Sequence, residues 1–291
     1  MTHPPYQELS RSIKGKTALV TGASRGLGVH LARALAARGM KLAIAARSAD
    51  ALEHVKAELG SYGVAVQCIP IDISDRQALP ALVDQVIDEL GSIDVLVNNA
   101  GLDQCAVYSE FSPDDIAQVI DVNLTAPILL TRLVLPHMLA RATGHVVNIA
   151  SVAGLVGVAY NETYAATKHA LVGFTRSLAA TAEGEGWPIG FSCILPGFIA
   201  DAGMYKAMQH HTGENAPILS GTSSPQKVAE EMVKAIEHDR LEVVVSTRPF
   251  RLLAVLLLWF PSATKWALRV TGSIGWFQAV ARAKRQSPQD R

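Results

Sequence analysis

The sequence predicts an α/β domain built on a doubly wound parallel sheet of about seven strands, and three observations carry that prediction. Short apolar runs alternate with longer segments of helical periodicity. The apolar runs are continuous rather than alternating, which is typical of strands buried on both faces. The chain has 291 residues, 49% of them hydrophobic and 18% charged, which suffices for one large core and excludes global disorder. We therefore expect right-handed βαβ units, with helices on both faces of the sheet.

The strands and helices are predicted in a fixed order along the chain. The predicted strands are Thr17–Thr21, Lys41–Ala45, Val64–Ile71, Val95–Asn98, His145–Ile149, Ile189–Leu195 and Glu242–Ser246. The helical patterns between them include Leu27–Arg38, Asp50–Leu59, Gln77–Leu90 and Tyr164–Glu183. No linker interrupts residues 14–247, so this stretch is predicted to form one domain.

Two terminal segments differ from this domain. Residues 1–13 contain Pro4, Pro5 and scattered polar residues, which favours a flexible arm. Residues 248–291 carry eight basic residues and one acidic residue, so this extension has a net charge of +7 and the rest of the chain has −7. An acidic body argues against a nucleic-acid-binding enzyme core.

Composition argues against several other classes of protein. Three cysteines without CxxC spacing predict reduced thiols rather than a disulfide scaffold or a zinc site. The nine histidines lack ligand spacing apart from the adjacent His210 and His211, so no metal site is expected. The first residues lack the apolar run of a secretory signal, and the longest purely apolar run, Leu252–Phe260, is shorter than the span of about twenty residues that a bilayer requires. We expect a cytoplasmic protein.

A glycine-rich turn between the first strand and the first helix is the first functional signal. Gly22, Gly26 and Gly28 in TGASRGLG allow a tight turn and a close backbone approach to a pyrophosphate. The helix that begins at Leu27 offers free N–H groups to the same anion. Glycines also serve ordinary turns, but this position after a strand and before a helix favours a dinucleotide site.

Further motifs follow in register with this turn. They are NNAG at 98–101 after the fourth strand, Asn123 in a helical region, Ser151 after the fifth strand, the YxxxK pair Tyr164 and Lys168, and Pro196–Gly197 after the sixth strand. With the TGxxxGxG turn, this set resembles the short-chain dehydrogenase/reductase family over about residues 14–247. The resemblance implies a Rossmann-type fold and hydride transfer between a nicotinamide cofactor and a carbonyl or alcohol carbon.

The end of the second strand favours NADP(H) over NAD(H). NAD-type folds place an acid there to hold the ribose 2′-hydroxyl, whereas an arginine accommodates a 2′-phosphate. This chain has Ala46 followed by Arg47, and Ser24 and Arg25 in the first turn would add donors to the phosphate. The alternative is that Arg47 is a solvated residue at the start of a helix.

Other cofactor contacts follow from the resemblance. Asp72 resembles the family acid that meets the adenine ring, although Asp72 or Ser74 could instead cap the next helix. Asn98 and Gly101 are expected to line the adenine ribose and the floor of the cleft. The complete set of predicted cofactor-binding residues is Gly22, Ser24, Arg25, Gly26, Leu27, Gly28, Arg47, Asp72, Ile73, Asn99, Ala100, Gly101, Tyr164, Lys168, Pro196, Gly197 and Ile199.

The resemblance assigns catalysis to Asn123, Ser151, Tyr164 and Lys168. Tyr164 and Lys168 lie four residues apart and so share a helix face, although such a pair is also common in ordinary helices. A nearby ammonium and an oxidised nicotinamide would favour the phenolate, so Tyr164 would exchange a proton with the substrate oxygen. Ser151 would hold that oxygen, Lys168 would hold the nicotinamide ribose, and Asn123 would position a water for a proton relay.

The substrate side contains one departure from the family pattern. Asp201 stands where the family usually has a threonine, so either the loop 198–224 sits differently or Asp201 caps the next helix. The residues expected beside the cleft are mostly apolar, and some could equally pack the core. They are Leu102, Val107, Tyr108, Leu155, Val156, Val158, Tyr160, Phe198, Ile199, Met204, Tyr205 and Met208. This lining predicts a lipophilic ketone or secondary alcohol as substrate.

The extension combines aromatic, aliphatic and basic residues over 249–285. Pro261 and the 272–275 region are expected to divide it into two or three short helices. A helical projection places Lys265 and Arg269 opposite Ala263, Trp266 and Val270. Such a segment predicts peripheral contact with the cytosolic face of an anionic membrane, and the alternative is packing against the body or a second subunit.

These observations leave three functional hypotheses. The leading hypothesis is an NADP(H)-dependent carbonyl reductase for a steroid-, retinoid- or fatty-acyl-like substrate. The alternatives are a 3-oxoacyl reductase of fatty-acid metabolism and a non-catalytic NADP(H)-binding sensor or scaffold tethered at a membrane, against which the intact catalytic set argues. The resemblance also implies a homodimer or homotetramer formed through the Tyr164 helix and its neighbour.

Overall fold

A computed structural model describes residues 11–200, 208, 222–246 and 259–286. Its main element is a seven-stranded sheet in which every neighbouring pair of strands is parallel. The strands of this sheet are β1 (Thr17–Thr21), β2 (Lys41–Ala46), β3 (Val66–Pro70), β4 (Val95–Asn98), β5 (Gly144–Ile149), β6 (Ile189–Pro196) and β9 (Glu242–Val245). A separate pair of short strands consists of β7 (Phe198–Ile199) and β8 (Thr222–Ser223).

The strand order across the main sheet is β3-β2-β1-β4-β5-β6-β9. The chain winds outward from β1 in one direction to β3 and then crosses back to β4, so the order reverses between β1 and β4. Such a switch point opens a crevice at the carboxyl ends of the strands, where ligands bind. The predicted doubly wound parallel sheet of seven strands is therefore confirmed.

Helices cover both faces of the sheet. They are α1 (Leu27–Ala37), α2 (Ala49–Leu59), α3 (Leu79–Leu90), α4 (Pro113–Ile120), α5 (Ala126–Ala140), α6 (Glu162–Glu185), α7 (Pro225–Glu237), α8 (Pro261–Val270) and α9 (Ser273–Gln286). Neighbouring residues of a strand point into different cores: Val20 joins the cluster beneath α1, α2 and α7, whereas Leu19 joins the cluster beneath α3 and α5. The sheet is thus buried on both faces, as its continuous apolar strands predicted.

A turn of π-helix over Asp121–Thr125 joins α4 to α5, so residues 113–140 form one long helical segment. By length and composition alone this segment is apolar enough to cross a membrane, and half of its most apolar stretch is buried inside the protein. Leu130, Val134 and Met138 lie in the core cluster beneath α5. This burial is typical of a core helix in a doubly wound fold.

Both termini of the described chain contact the sheet domain. Ile13 is buried in the core, and the Arg11 N–H donates to the Glu237 carbonyl at 2.7 Å. Ala263 and Ala267 of α8 pack against the core cluster that contains Leu171 of α6. Gly272, with a φ of +72°, lies in the turn between α8 and α9, so in the described part of the extension these two helices meet at a glycine turn.

Candidate active site

The glycine-rich turn lies between β1 and α1, at the switch point. Gly22 and Gly26 have φ angles of +66° and +59°, a backbone conformation that favours glycine. A side chain on Gly28 would place its Cβ 2.1 Å from the Gly22 carbonyl oxygen, so only glycine fits there. No side chain caps α1 and no acidic residue lies in its first turn, so its first N–H groups are available to an anion.

The loop after β4 holds this turn in place. The Thr21 hydroxyl accepts hydrogen bonds from the Asn99 N–H at 3.0 Å and the Ala100 N–H at 3.1 Å. The Asn99 side-chain amide donates to the Thr21 carbonyl at 2.9 Å and to the Gly22 carbonyl at 3.1 Å. The Asn99 side chain therefore fixes the turn from the side, while Gly101 continues the loop along the crevice.

Arg47 and Asp72 lie close enough at the ends of β2 and β3 for their charges to interact. Arg47 is exposed and forms no ion pair within the described ranges. Asp72 is exposed, and its carboxylate accepts hydrogen bonds from the Ser74 N–H at 2.9 Å and the Ser74 hydroxyl at 2.7 Å. Partial burial opposes ionisation, but these hydrogen bonds and the Arg47 charge hold the pKa of Asp72 below its usual value.

Two sequence-based expectations for this region are wrong. Neither Asp72 nor Ser74 caps α3, because that helix begins at Leu79, with Ala78 at its N-cap and Pro80 in its first turn. Asn98 does not line the adenine ribose side of the crevice, because its side chain is buried in the core. Its amide donates to the Asn148 side-chain oxygen on the neighbouring strand at 2.9 Å.

Tyr164 and Lys168 lie on one face of α6, in its first two turns, as their spacing predicted. The Lys168 ammonium is 5.5 Å from the centre of the Tyr164 ring and donates to the Ile149 carbonyl at 2.9 Å. Burial lowers the pKa of Lys168 to about 8. The ammonium is thus fixed between the end of β5 and the tyrosine ring.

Ser151 follows β5 and completes the triad with Tyr164 and Lys168. Its hydroxyl donates to the Pro196 carbonyl at 3.5 Å, accepts from the Ala153 N–H at 3.1 Å, and lies close enough to the Tyr164 phenol to influence its pKa. Burial and the negative charge of Asp103 raise the pKa of Tyr164 above its usual value, and the Ser151 hydroxyl lowers it only in part. Without a cofactor, these effects together favour the protonated phenol of Tyr164.

Asn123 lies in the π-helical turn and is completely buried. Its side-chain oxygen accepts from the Leu102 N–H at 2.7 Å, and its amide donates to the Leu102 carbonyl at 2.9 Å and to the Thr167 hydroxyl at 3.3 Å. Thr167 in turn donates to the Tyr164 carbonyl at 2.7 Å. The structure brings Asn123 to the catalytic helix and gives its side chain a positioning role there.

Asp103 is a site residue that sequence reasoning missed. Its carboxylate accepts a hydrogen bond from the buried Asn161 amide at 2.6 Å, and its charge acts on Tyr164. Asn161 is the residue just before α6, so this bond ties the loop after β4 to the start of the catalytic helix. The sequence signal was an acidic residue two positions after the NNAG motif, in a cleft whose other expected members are apolar.

The helix α9 packs against several residues that the sequence predicts beside the cleft. Trp276, Phe277 and Val280 form a buried cluster with Cys105 and Met208, and Val158, Tyr160 and Phe198 pack against it. The Phe198 ring lies edge-on to the Trp276 ring with centroids 5.4 Å apart, and the Cys105 thiol donates to the Phe277 carbonyl at 3.6 Å.

Several other residues singled out by the sequence analysis divide into three groups. Leu155 and Val156 belong to the core beneath α8, so for these two the core-packing alternative is right. Val107 and Tyr108 are exposed at the rim. Asp201, Met204, Tyr205, His210 and His211 lie outside the described residues.

The sequence and the fold both match known proteins. The family of short chain dehydrogenases matches residues 16–213. The ketoacyl reductase HetN of Nostoc sp. is 40% identical over 238 residues, which cover 82% of this chain and 81% of that protein.

Two solved structures illustrate the structural likeness. The actinorhodin polyketide ketoreductase with NADPH has a TM-score of 0.74 and 30% identity, and the match covers 81% of this chain and 97% of that one. A short-chain dehydrogenase/reductase from Burkholderia phymatum in complex with NAD has a TM-score of 0.76 and 30% identity, with coverage of 85% and 94%.

The family match over residues 16–213 includes the glycine-rich turn, Ser151, Tyr164, Lys168 and the first six strands of the main sheet. They confirm the prediction of an oxidoreductase that acts on alcohol and carbonyl carbons. The chain belongs to the short-chain dehydrogenase family.

Proposed function

We propose that the protein is an NADP(H)-dependent carbonyl reductase that acts on lipophilic ketones, with Tyr164 as the general acid. The single observation that carries the substrate class is the buried aromatic cluster of α9, which packs against Val158, Tyr160 and Phe198, residues that the sequence predicts beside the cleft. The arrangement of Ser151, Tyr164 and Lys168 supports the reaction type, and the exposed Arg47 supports the cofactor.

The residues at the switch point fit a dinucleotide with a 2′-phosphate. The uncapped N-terminus of α1, behind a turn in which Gly28 leaves no room for a side chain, suits a pyrophosphate. Arg47 has no carboxylate partner within the described ranges, and the position before it is Ala46 rather than an acid. An exposed guanidinium without a partner suits a phosphate dianion, so these residues would hold NADP(H) rather than NAD(H).

When bound, NADPH supplies the hydride, and the chain supplies the proton and the positioning. The raised pKa of Tyr164 favours its protonated phenol, which is the form a general acid needs to donate to a carbonyl oxygen. Ser151 presents its hydroxyl beside the same phenol and would hold the substrate oxygen there. After donation, the Lys168 ammonium, 5.5 Å from the centre of the ring, would stabilise the phenolate that remains.

The predicted proton relay through Asn123 remains a proposal for this chain. The Asn123 side chain is fully engaged by Leu102 and Thr167, so it would act by holding the loop and α6 in register. Any relay water would be held by the backbone of the π-helical turn rather than by this side chain.

Two neighbours of α9 connect it to the triad. Phe198 contacts Trp276 and lies two residues beyond Pro196, whose carbonyl accepts from Ser151. Cys105 contacts Phe277 and lies two residues beyond Asp103, whose charge acts on Tyr164. A substrate oxygen between Ser151 and Tyr164 would therefore place the rest of the molecule against aromatic side chains, which favours an apolar substrate.

A 3-oxoacyl thioester is the second candidate substrate, and two observations favour it. HetN, at 40% identity, is named a ketoacyl reductase. Arg282 and Arg285 are exposed on α9, and Arg285 pairs with Glu110, so basic side chains lie beside the cleft where an acidic acyl carrier protein would dock.

Steady-state NADPH oxidation tests the proposal. Steroid, retinal, long-chain 3-oxoacyl and small water-soluble ketones are compared with wild-type protein, with Tyr164→Phe and with the matched control Tyr62→Phe, a phenol on the surface far from the triad. We expect turnover of one lipophilic class, a loss of about 100-fold or more in Tyr164→Phe, and wild-type rates in Tyr62→Phe. Tight NADPH binding without turnover of any ketone, or of any alcohol with NADP⁺, would support the sensor hypothesis instead.

We also propose a homodimer or homotetramer formed through α6 and the neighbouring α4–α5 segment. Half of the most apolar stretch of residues 113–140 remains outside the core, which supports a further contact on that side. Analytical ultracentrifugation tests this proposal, and a single monomeric species at micromolar concentration would contradict it.

A further inference from the structure

The outer face of α8 and the two residues before it carry the most exposed large apolar side chains in the described part of the chain. Trp259, Phe260, Trp266 and Val270 are 79%, 65%, 66% and 63% exposed, whereas the next most exposed, Tyr108, is 53% exposed. All four lie within twelve residues of sequence. We call these four residues the α8 patch. A contiguous group of large exposed apolar side chains commonly marks an interaction site.

The α8 patch is not an uncovered part of the core. The inner face of α8 is already packed, because Ala263 and Ala267 contact the cluster around Leu171 and Val172. Their small side chains let the helix approach α6 closely, and the large side chains of Trp266 and Val270 then point away from the protein. The predicted face of Ala263, Trp266 and Val270 is therefore only partly covered, since Ala263 packs against the protein and Trp266 and Val270 stay exposed.

Basic side chains border the α8 patch. Lys265 and Arg269 are exposed on the same outward side of α8, and residues 259–286 contain no acidic residue. Among the four basic side chains described in this segment, only Arg285 reaches a carboxylate, that of Glu110. The acidic body therefore does not neutralise Lys265 and Arg269, which leaves their charges available to an external anion.

We propose that the α8 patch docks on the surface of an anionic lipid bilayer. Trp259, Phe260, Trp266 and Val270 would enter the headgroup region, where tryptophan is enriched. Lys265 and Arg269 would lie against lipid phosphates and carboxylates. A short helix with an apolar side and a basic side is the form in which proteins lie on such surfaces, and anionic lipids attract each basic residue near them.

The docking does not depend on the proposed reaction, but it has a consequence for it. Only Thr271 and Gly272 separate α8 from α9, the helix that packs against residues predicted beside the cleft. A bilayer held against α8 would therefore lie beside the mouth of the cleft. Lipophilic substrates partition into bilayers, so this placement would supply them directly to the site.

Vesicle co-sedimentation of the full chain tests the docking without any activity measurement. The probes are vesicles of phosphatidylcholine alone and vesicles with about 30% phosphatidylserine, since the anionic fraction sets the attraction. We expect binding to the anionic vesicles that is at least tenfold tighter than to phosphatidylcholine and that weakens in high salt.

Two double variants and two controls assign the binding to the α8 patch. Trp266→Ala with Val270→Ala removes the outward apolar side chains, and Lys265→Gln with Arg269→Gln removes the charges. We expect each pair to weaken binding at least tenfold. Tyr62→Ala removes an exposed aromatic residue on the turn before β3, and Lys41→Gln removes an exposed charge at the start of β2. Both controls should bind as wild type.

Three outcomes would overturn the proposal. The first is that wild-type protein does not bind anionic vesicles, and the second is that both double variants bind as tightly as wild type. The third is that Trp266→Ala with Val270→Ala splits an oligomer in ultracentrifugation, because the patch would then be an interface between copies. Turnover of a water-soluble ketone by the same variants shows whether the reaction survives when membrane binding is lost. Unchanged melting temperatures show that the variants still fold.

Discussion

Gly28→Ala is expected to abolish tight cofactor binding while leaving the catalytic triad intact. The added Cβ would lie 2.1 Å from the Gly22 carbonyl oxygen, 2.8 Å from the Asn99 amide nitrogen and 2.9 Å from the Ala23 Cα. Carbon and carbonyl oxygen ordinarily approach to about 3.3 Å, so the turn would have to retreat by about 1 Å. Ala100 packs closely against Gly22, since a Cβ built on Gly22 would lie 2.7 Å from its Cα, and this limits the space for that retreat.

The size of both effects follows from the contacts that the substitution disrupts. Overpacking at such a site costs about 1–3 kcal/mol. Moving the turn also breaks the two hydrogen bonds that Asn99 donates to Thr21 and Gly22, at about 1 kcal/mol each. The free energy of unfolding should therefore fall by about 3–5 kcal/mol, which lowers Tm by roughly 10 °C. A turn displaced by this distance no longer meets a pyrophosphate, so the affinity for NADPH should fall at least 100-fold, about 2.8 kcal/mol.

Thermal unfolding and titration of NADPH fluorescence measure both effects. Gly60→Ala is the matched control, because Gly60 has helical angles and open space around its Cβ position. This control should keep wild-type affinity for NADPH and gain about 0.5–1 kcal/mol in stability, because alanine loses less backbone entropy on folding. If Gly28→Ala binds NADPH within threefold of wild type at an unchanged Tm, the close packing of the turn is not what shapes the site.

Three further predictions concern charges. Arg47→Ala should raise the Kd for NADPH about tenfold or more and leave the Kd for NADH unchanged, because a charge-assisted hydrogen bond to the 2′-phosphate contributes about 1.5–3 kcal/mol. An equal loss of affinity for NADPH and NADH would contradict this role of Arg47. Asp103→Asn should shift alcohol oxidation to lower pH, since it removes a charge that raises the pKa of Tyr164; an unmoved pH–rate profile would refute the coupling. Burial lowers the pKa of His145 from 6.5 to about 3. The contribution of neutral His145 to the free energy of unfolding should therefore be fully present above pH 6.5 and fall by about 1.4 kcal/mol per pH unit towards pH 3. Urea unfolding of wild type and of His145→Gln should differ in this slope.

The positions of the strands could be predicted from the sequence because a strand buried on both faces is a continuous apolar run. The ends were less predictable, because hydrogen bonding rather than apolarity decides where a strand stops. The third strand shows this: Val64 and Ala65 are apolar, but the ladder with β2 begins at Val66, which pairs with Leu42. The second strand continues to Ala46 for the same reason, since Ala46 pairs with Pro70.

The direction of a side chain at the end of a strand was not predictable from a motif. Asn98 belongs to NNAG, and its place in the motif suggested the crevice. In the sheet it pairs with Asn148, whose amide continues to the Thr175 hydroxyl, so the three form a buried chain of hydrogen bonds behind the site. The available signal was the presence of an asparagine near the carboxyl end of each of two strands predicted to be neighbours.

The cofactor half and the substrate half of the site differ in how far sequence can define them. A pyrophosphate is bound by backbone N–H groups, so its site requires glycines at fixed spacing after a strand, and that spacing is visible in Gly22, Gly26 and Gly28. The substrate half is assembled from segments as distant as Cys105 and Phe277, which no periodicity connects. Composition could therefore predict an apolar cleft, whereas only the packing of α9 indicates which aromatic side chains would cover the proposed substrate site.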